Sequence, residues 1–204
     1  MYNILRLFTR SFLPRISYLV SPFIMNLDKL FWSRTKTDIL KYLVFRRQGV
    51  SVRAFETELT RSFPAIKKQV DQLEEAWVID VKKDNNRRSI YLMSGIDAYI
   101  RSIFLYTLKS DLLDYFKTIH KHVDKYYLWE MFGNEFDMDI VIIHDAKSKD
   151  KTPEIKEKVT RIFAHYHTDT VKLVFMSGAE YDKRNRLADK FVLEMMTHAQ
   201  EVEV

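Results

Sequence analysis

The chain has 204 residues, 47% of them hydrophobic and 30% charged, with four glycines, four prolines and no cysteine. That length and apolar content allow one large or two small packed domains and exclude a disordered chain, while so little glycine and proline excludes a floppy tether. Disulfides and thiolate metal sites are excluded too, and the composition fits a reducing, cytoplasmic setting.

The net charge of +5 is unevenly spread, at +3 over residues 1–25, +5 over 26–94 and −3 over 95–204. A basic front on an acidic back points to a polyanion-facing N-terminal part, because neutralised phosphates supply most non-specific affinity for nucleic acid. Ordinary solvated surface is the other reading of the same charges. Residues 1–25 carry Arg6, Arg10 and Arg15 and no acid, and Pro14 and Pro22 interrupt their apolar run. No apolar stretch reaches the roughly 18 residues of a membrane span, so this segment reads as a loosely ordered basic arm. A segment that binds a membrane surface or a partner is the alternative, and Met25 is a second candidate start.

Ile39, Leu40, Leu43 and Val44 recur at helical spacing between Lys36 and Phe45, and Gly49 ends that pattern. Ser51 can cap a second helix with Val52, Phe55 and Leu59 on its inner face. A third helix follows Ser62, with Pro64 in its first turn and Ile66, Val70, Leu73 and Ala76 inward. VIDVKK and RRSIYLM read as two strands around the turn at 84–86, a hairpin over residues 78–93.

Helix, helix, turn, helix and hairpin over residues 31–95 resemble the winged helix-turn-helix regulators of the arsenic-repressor and multiple-antibiotic-resistance type. IKKQVDQLEEAWVIDVKK, where the recognition helix runs into the wing, carries most of the likeness. Trp77 stands where such proteins usually have a small residue, often glycine. The resemblance implies double-stranded DNA as partner and a role in transcription. The third helix would enter the major groove, which is wide enough to admit it, presenting Ser62, Pro64, Ala65, Lys67 and Lys68, with Gln69 and Gln72 behind them. Lys82, Lys83, Asn85, Asn86, Arg87 and Arg88 would reach phosphates from the wing, and Arg53 and Arg61 would clamp the backbone.

From residue 96 to 123 the apolar positions keep a period near 3.6, which predicts a long connecting helix, with Ser110-Asp111 as a candidate break. Its broad apolar face predicts packing on its own chain and on a second copy, a homodimer; burial wholly within one monomer is the alternative. Beyond it YYLWEMF and FDMDIVIIH read as strands, Thr152-Pro153 opens a helix, TVKLVF is a third strand, and Ser177 with Glu180 forms a capping box before a C-terminal helix. The fold class is therefore α+β: a basic arm (1–25), a winged helix (26–94), a connecting helix (95–123) and a small α/β domain (124–204).

Asp137 and Asp139, two apart in a strand, project to one face, as a divalent-metal site requires. LWEMFGNEFDMDIVIIHD resembles the small nucleotidyltransferases of the polymerase-beta type, which implies Asp137 and Asp139 as magnesium ligands. Three positions depart from that pattern: Gly133-Asn134 lacks the hydroxyl of the glycine-serine pair, only Glu135 and Phe136 precede Asp137, and Lys172 stands where a third carboxylate is needed. The domain is therefore expected to be a degenerate, non-catalytic transferase without a cofactor. An active transferase using magnesium, and a protein-interaction or assembly module, remain the alternatives. His120/His122 and His165/His167 are two apart in or beside helices, share no face, and read as surface histidines.

Overall fold

The computed structural model describes residues 31, 33–45, 49–84, 87–130, 138–145, 150–168 and 171–203. The first helix, α1 (Arg34–Phe45), is buried on every side from Ile39 to Phe45 and is the hub of the N-terminal part. It packs on the helices over residues 63–75 and 97–118. Helix α2 (Val52–Glu58) starts at Ser51, whose hydroxyl accepts the Ala54 N–H at 3.2 Å, as its sequence predicts. The N-terminus of α3 (Phe63–Glu75) is closed from a distance, with the Phe63 N–H donating to the Glu56 carboxylate of α2 at 3.2 Å.

Helix α3 buries Ile66, Val70 and Leu73, as expected, but Ala76 is exposed at its C-cap. Here the chain must turn sharply: the N–H groups of Trp77 and Val78 donate back to Glu74 and Leu73. That pair of bonds makes a Schellman closure, which needs a left-handed residue. Trp77 supplies it at φ 57°.

Strands β1 (Ile79–Asp84) and β2 (Arg87–Leu92) form the expected antiparallel hairpin, and Val50 adds a bridge to Ile90. Gly49 permits that bridge. A Cβ there would lie 2.7 Å from the Ser89 Cβ and overlap the Tyr91 ring, so only glycine lets the wing sit this close to the loop after α1.

The connecting helix is a single unbroken α4 (Asp97–Thr118); Ser110-Asp111 does not interrupt it. Its buried side, including Ile100, Phe104, Leu108, Leu112 and Phe116, packs against α1 and α5, and Phe31 stacks on Phe104 with ring centres 5.8 Å apart.

The C-terminal part runs β3 (Val123–Glu130), β4 (Met138–His144), α5 (Thr152–His165), β5 (Val171–Ser177), α6 (Gly178–Arg186), α7 (Lys190–His198) and β6 (Gln200–Glu203). Its sheet has the order β5-β4-β3-β6, parallel only between β4 and β5, so α5 is the crossover. Both faces are covered, which explains an apolar run in place of strict alternation. Tyr126, Leu128, Ile140 and Ile142 join the core shared with α1, α4 and α5, whereas Tyr127, Val141, Ile143 and Met176 meet Tyr181, Val192 and Met195 of α6 and α7.

Two features depart from expectation. The single C-terminal helix is two helices, parted at Ala188 (φ 52°), and β6 was not foreseen. Ser177 does cap α6, its hydroxyl accepting the Glu180 N–H, but the Glu180 side chain pairs with Arg184. Among the described residues, seven helices and six strands in two sheets make a mixed α and β fold in which no helix is long and apolar enough to cross a membrane.

Candidate nucleic-acid interface

Between α2, α3 and the hairpin lies an open groove of about 920 Å³. Tyr42, Val50, Phe63, Val70 and Val81 are its apolar lining, and Arg53, Lys67, Lys83, Arg87 and Arg88 are its cations. Strand geometry concentrates the charge: Lys83 and Arg88 are direct partners across the hairpin, and Arg87 is next to them opposite Asp84. Like charges facing each other on a hairpin repel, and they are tolerated where an anion can lie between them. Among the described residues no carboxylate pairs with Arg53, Lys68, Lys83, Arg87 or Arg88.

Three other cations expected to face DNA are held by the chain's own carboxylates. Arg61 lies 3.7 Å from Asp38, Lys67 2.7 Å from Asp71, and Lys82 3.8 Å from Asp80 and 5.2 Å from the centre of the Tyr91 ring. Exposed pairs of this kind contribute at most about 1 kcal/mol. They can be exchanged for phosphate, so the pairing lowers the available charge without removing it.

Ser62, Pro64, Ala65, Lys68 and Gln72 are exposed on α3, as its period requires. Gln69 differs: its side-chain carbonyl oxygen is buried without a hydrogen-bond partner, so it turns towards the protein and not outward. Asn85 and Asn86 lie outside the described residues. The sequence reading passed over Asp71 and Glu74, which line the groove, and the exposed Glu75. The signal was present in the spacing of Lys67, Asp71 and Glu74, which share one side of a helix. All three carboxylates belong to the last turns of α3, so its cations lie towards the N-terminal end, where the Phe63 N–H is already taken by the Glu56 carboxylate.

The metal ligands that the transferase alternative would use, Asp137 and Asp139, are only partly described. Asp137 and the 131–136 stretch lie outside the described residues. The backbone of Asp139 is paired in parallel register with Lys172, so the strand neighbour of that aspartate is a cation. Among the described residues no group of three or more His, Cys, Asp or Glu could hold a metal ion.

No protein-family model and no curated protein matches the chain. Among solved structures it is similar to the crystal structure of MepR, a transcription regulator of the Staphylococcus aureus multidrug efflux pump MepA. That likeness has 14% identity and a TM-score of 0.41, covering 68% of this chain and 83% of that one. A MepR mutant from a multidrug resistant S. aureus clinical isolate is similar at 13% identity and a TM-score of 0.38, covering 69% and 83%. Likeness this distant leaves the function to be read from the chain's own surface.

Proposed function

We propose that the chain binds double-stranded DNA through α3 and the β1–β2 wing and acts as a transcriptional regulator whose C-terminal part serves assembly and not turnover. The observation that carries this reading is that Lys83, Arg87 and Arg88 of the hairpin tip line the groove together with Arg53, and that no carboxylate is paired to any of them among the described residues. Helix α3 would approach the major groove by its N-terminal half, Ser62 to Lys68, because Asp71, Glu74 and Glu75 repel phosphate from the other half. Lysines bind as point charges and few groups here read base edges, so phosphate contacts dominate and affinity depends steeply on salt. A homodimer formed across the outward face of α4 belongs to the same reading.

Fluorescence anisotropy with random-sequence duplex DNA over a range of salt concentrations tests it. The Arg87→Glu, Arg88→Glu double variant is expected to bind all sequences more weakly and to flatten the logarithmic salt slope by about 2, one for each phosphate that is no longer neutralised. Affinity that ignores ionic strength, or a double variant that binds as the wild type does, would overturn the proposal.

A further inference from the structure

Where α1 meets α5, a buried lysine and two histidines come together beside the core. Lys41 is 5% exposed, and its ammonium lies 5.0 Å from the centre of the Tyr166 ring and 3.1 Å from Nε2 of His165. An ammonium donates and cannot accept, so His165 must present Nε2 as a bare acceptor and carry its proton on Nδ1. The bond therefore exists only with a neutral imidazole; a protonated one would put two cations 3.1 Å apart. The rest of the contact is aromatic: Phe45 meets Tyr166 edge-on at 5.9 Å, and Tyr42 meets the His167 ring at 5.4 Å. The Tyr166 hydroxyl is held in turn by Asp111 of α4 at 2.5 Å.

We propose that Lys41, His165 and His167 form a proton-operated latch between the winged-helix part and the C-terminal part, closed when both imidazoles are neutral and opened when they are protonated. His165 is reachable, being solvent-exposed on its outer side, while His167 is half-buried. Burial and then the Lys41 charge push the pKa of each below its ordinary value. Other groups act at both sites: Asp111 and Asp38 favour a proton on His165 and Arg34 opposes it, while Asp38 and Glu58 favour one on His167 and His165 opposes it. The net shift is downward at both. Histidines with lowered pKa leave the closed form with fewer protons than the open one below pH of about 6.5, so closure weakens as pH falls through that value and is complete above it. Tyr42 also lines the groove, so the latch and the groove share a wall.

Amide hydrogen exchange on the full chain between pH 7.5 and 5.5, corrected for intrinsic rates, tests the latch. Wild-type protection in α1 and α5 is expected to fall several-fold across this range, because both histidines take up protons more readily in the open form. The His165→Gln, His167→Gln double variant is expected to lose almost none, because glutamine at 165 can still accept from Lys41 but does not titrate. Lys41→Met keeps the buried stem and removes the cation, and its loss is expected to be shallower than that of the wild type. Wild-type protection that is flat over this range, or a double variant that loses as much as the wild type, would overturn the proposal.

Discussion

Single residues decide where this chain bends. Trp77 is 75% exposed, so it gains little from burial, yet it occupies a left-handed conformation that disfavours any residue with a Cβ. The Schellman bonds to Leu73 and Glu74 hold it there. Trp77→Gly is expected to raise the stability by about 1 kcal/mol, read as a higher urea midpoint with an unchanged slope. A lower midpoint would mean that the indole packs well enough to outweigh the strain. Gly49 is the opposite case, a glycine required by the close approach of Ser89 and Tyr91 and not by its own φ. Both positions are single letters in the sequence, and only the second carries the residue type that its surroundings require.

Elements are set by their periodicity, but their ends are set by partners from elsewhere. Helix α3 is legible from Ser62, Pro64 and the spacing of Ile66, Val70 and Leu73, yet the Glu56 carboxylate that closes its N-terminus comes from another helix, a link that no local pattern encodes. Strand β6 was illegible for a similar reason. Its four residues have no strong alternation, and it forms because β3 offers a free edge and the Glu201 side chain accepts from the Tyr127 hydroxyl at 2.8 Å and from Lys125 at 3.0 Å. Burial would raise the Glu201 pKa, but those two bonds and the Lys125 charge outweigh it and hold the carboxyl below its usual value. Burial, then the bonds to Tyr181 and Glu201, push the Tyr127 phenol up. A lowered carboxylate pKa adds stability that is present above pH of about 4.3 and is lost as pH falls further. Glu201→Gln is therefore expected to lower Tm at pH 7 and to approach the wild type as pH falls below about 4.3, as measured by thermal melts across the range. Curves that stay parallel at all pH values would remove this role from Glu201.

At the scale of the molecule, one buried cluster runs from Ile39 and Phe55 through Phe104 and Phe116 to Tyr126, Ile140 and Phe163 without a break. Helix α4 is the reason, because its buried arc faces α1 at one end and α5 and the sheet beyond it. Its opposite arc carries Tyr99, 72% exposed, and Tyr106, 45% exposed, on one face of the helix and two turns apart. If a second copy covers that arc, light scattering at micromolar concentration gives the mass of a dimer, and Tyr99→Glu with Tyr106→Glu gives a monomer. A wild-type monomer under those conditions would confine α4 to its own chain. The histidines show the limit of local reading at this scale: their two-residue spacing suggests surface groups, and it is the approach of α5 to α1 that puts His165 on Lys41 and His167 on Tyr42.

The sequence by itself determined the three N-terminal helices, the hairpin, the long connecting helix and three of the four C-terminal strands, because burial on one face leaves a period that can be counted. It also determined the concentration of cations at 82–88. The tertiary structure alone decided that Asp38 takes up Arg61, whereas the pairing of Lys67 with Asp71 was legible in their helical spacing. The inward turn of Gln69, the edge strand β6 and the Lys41–His165 contact were decided in the same way. Each depends on groups brought together by packing, and a pairing between distant residues leaves no period in either segment.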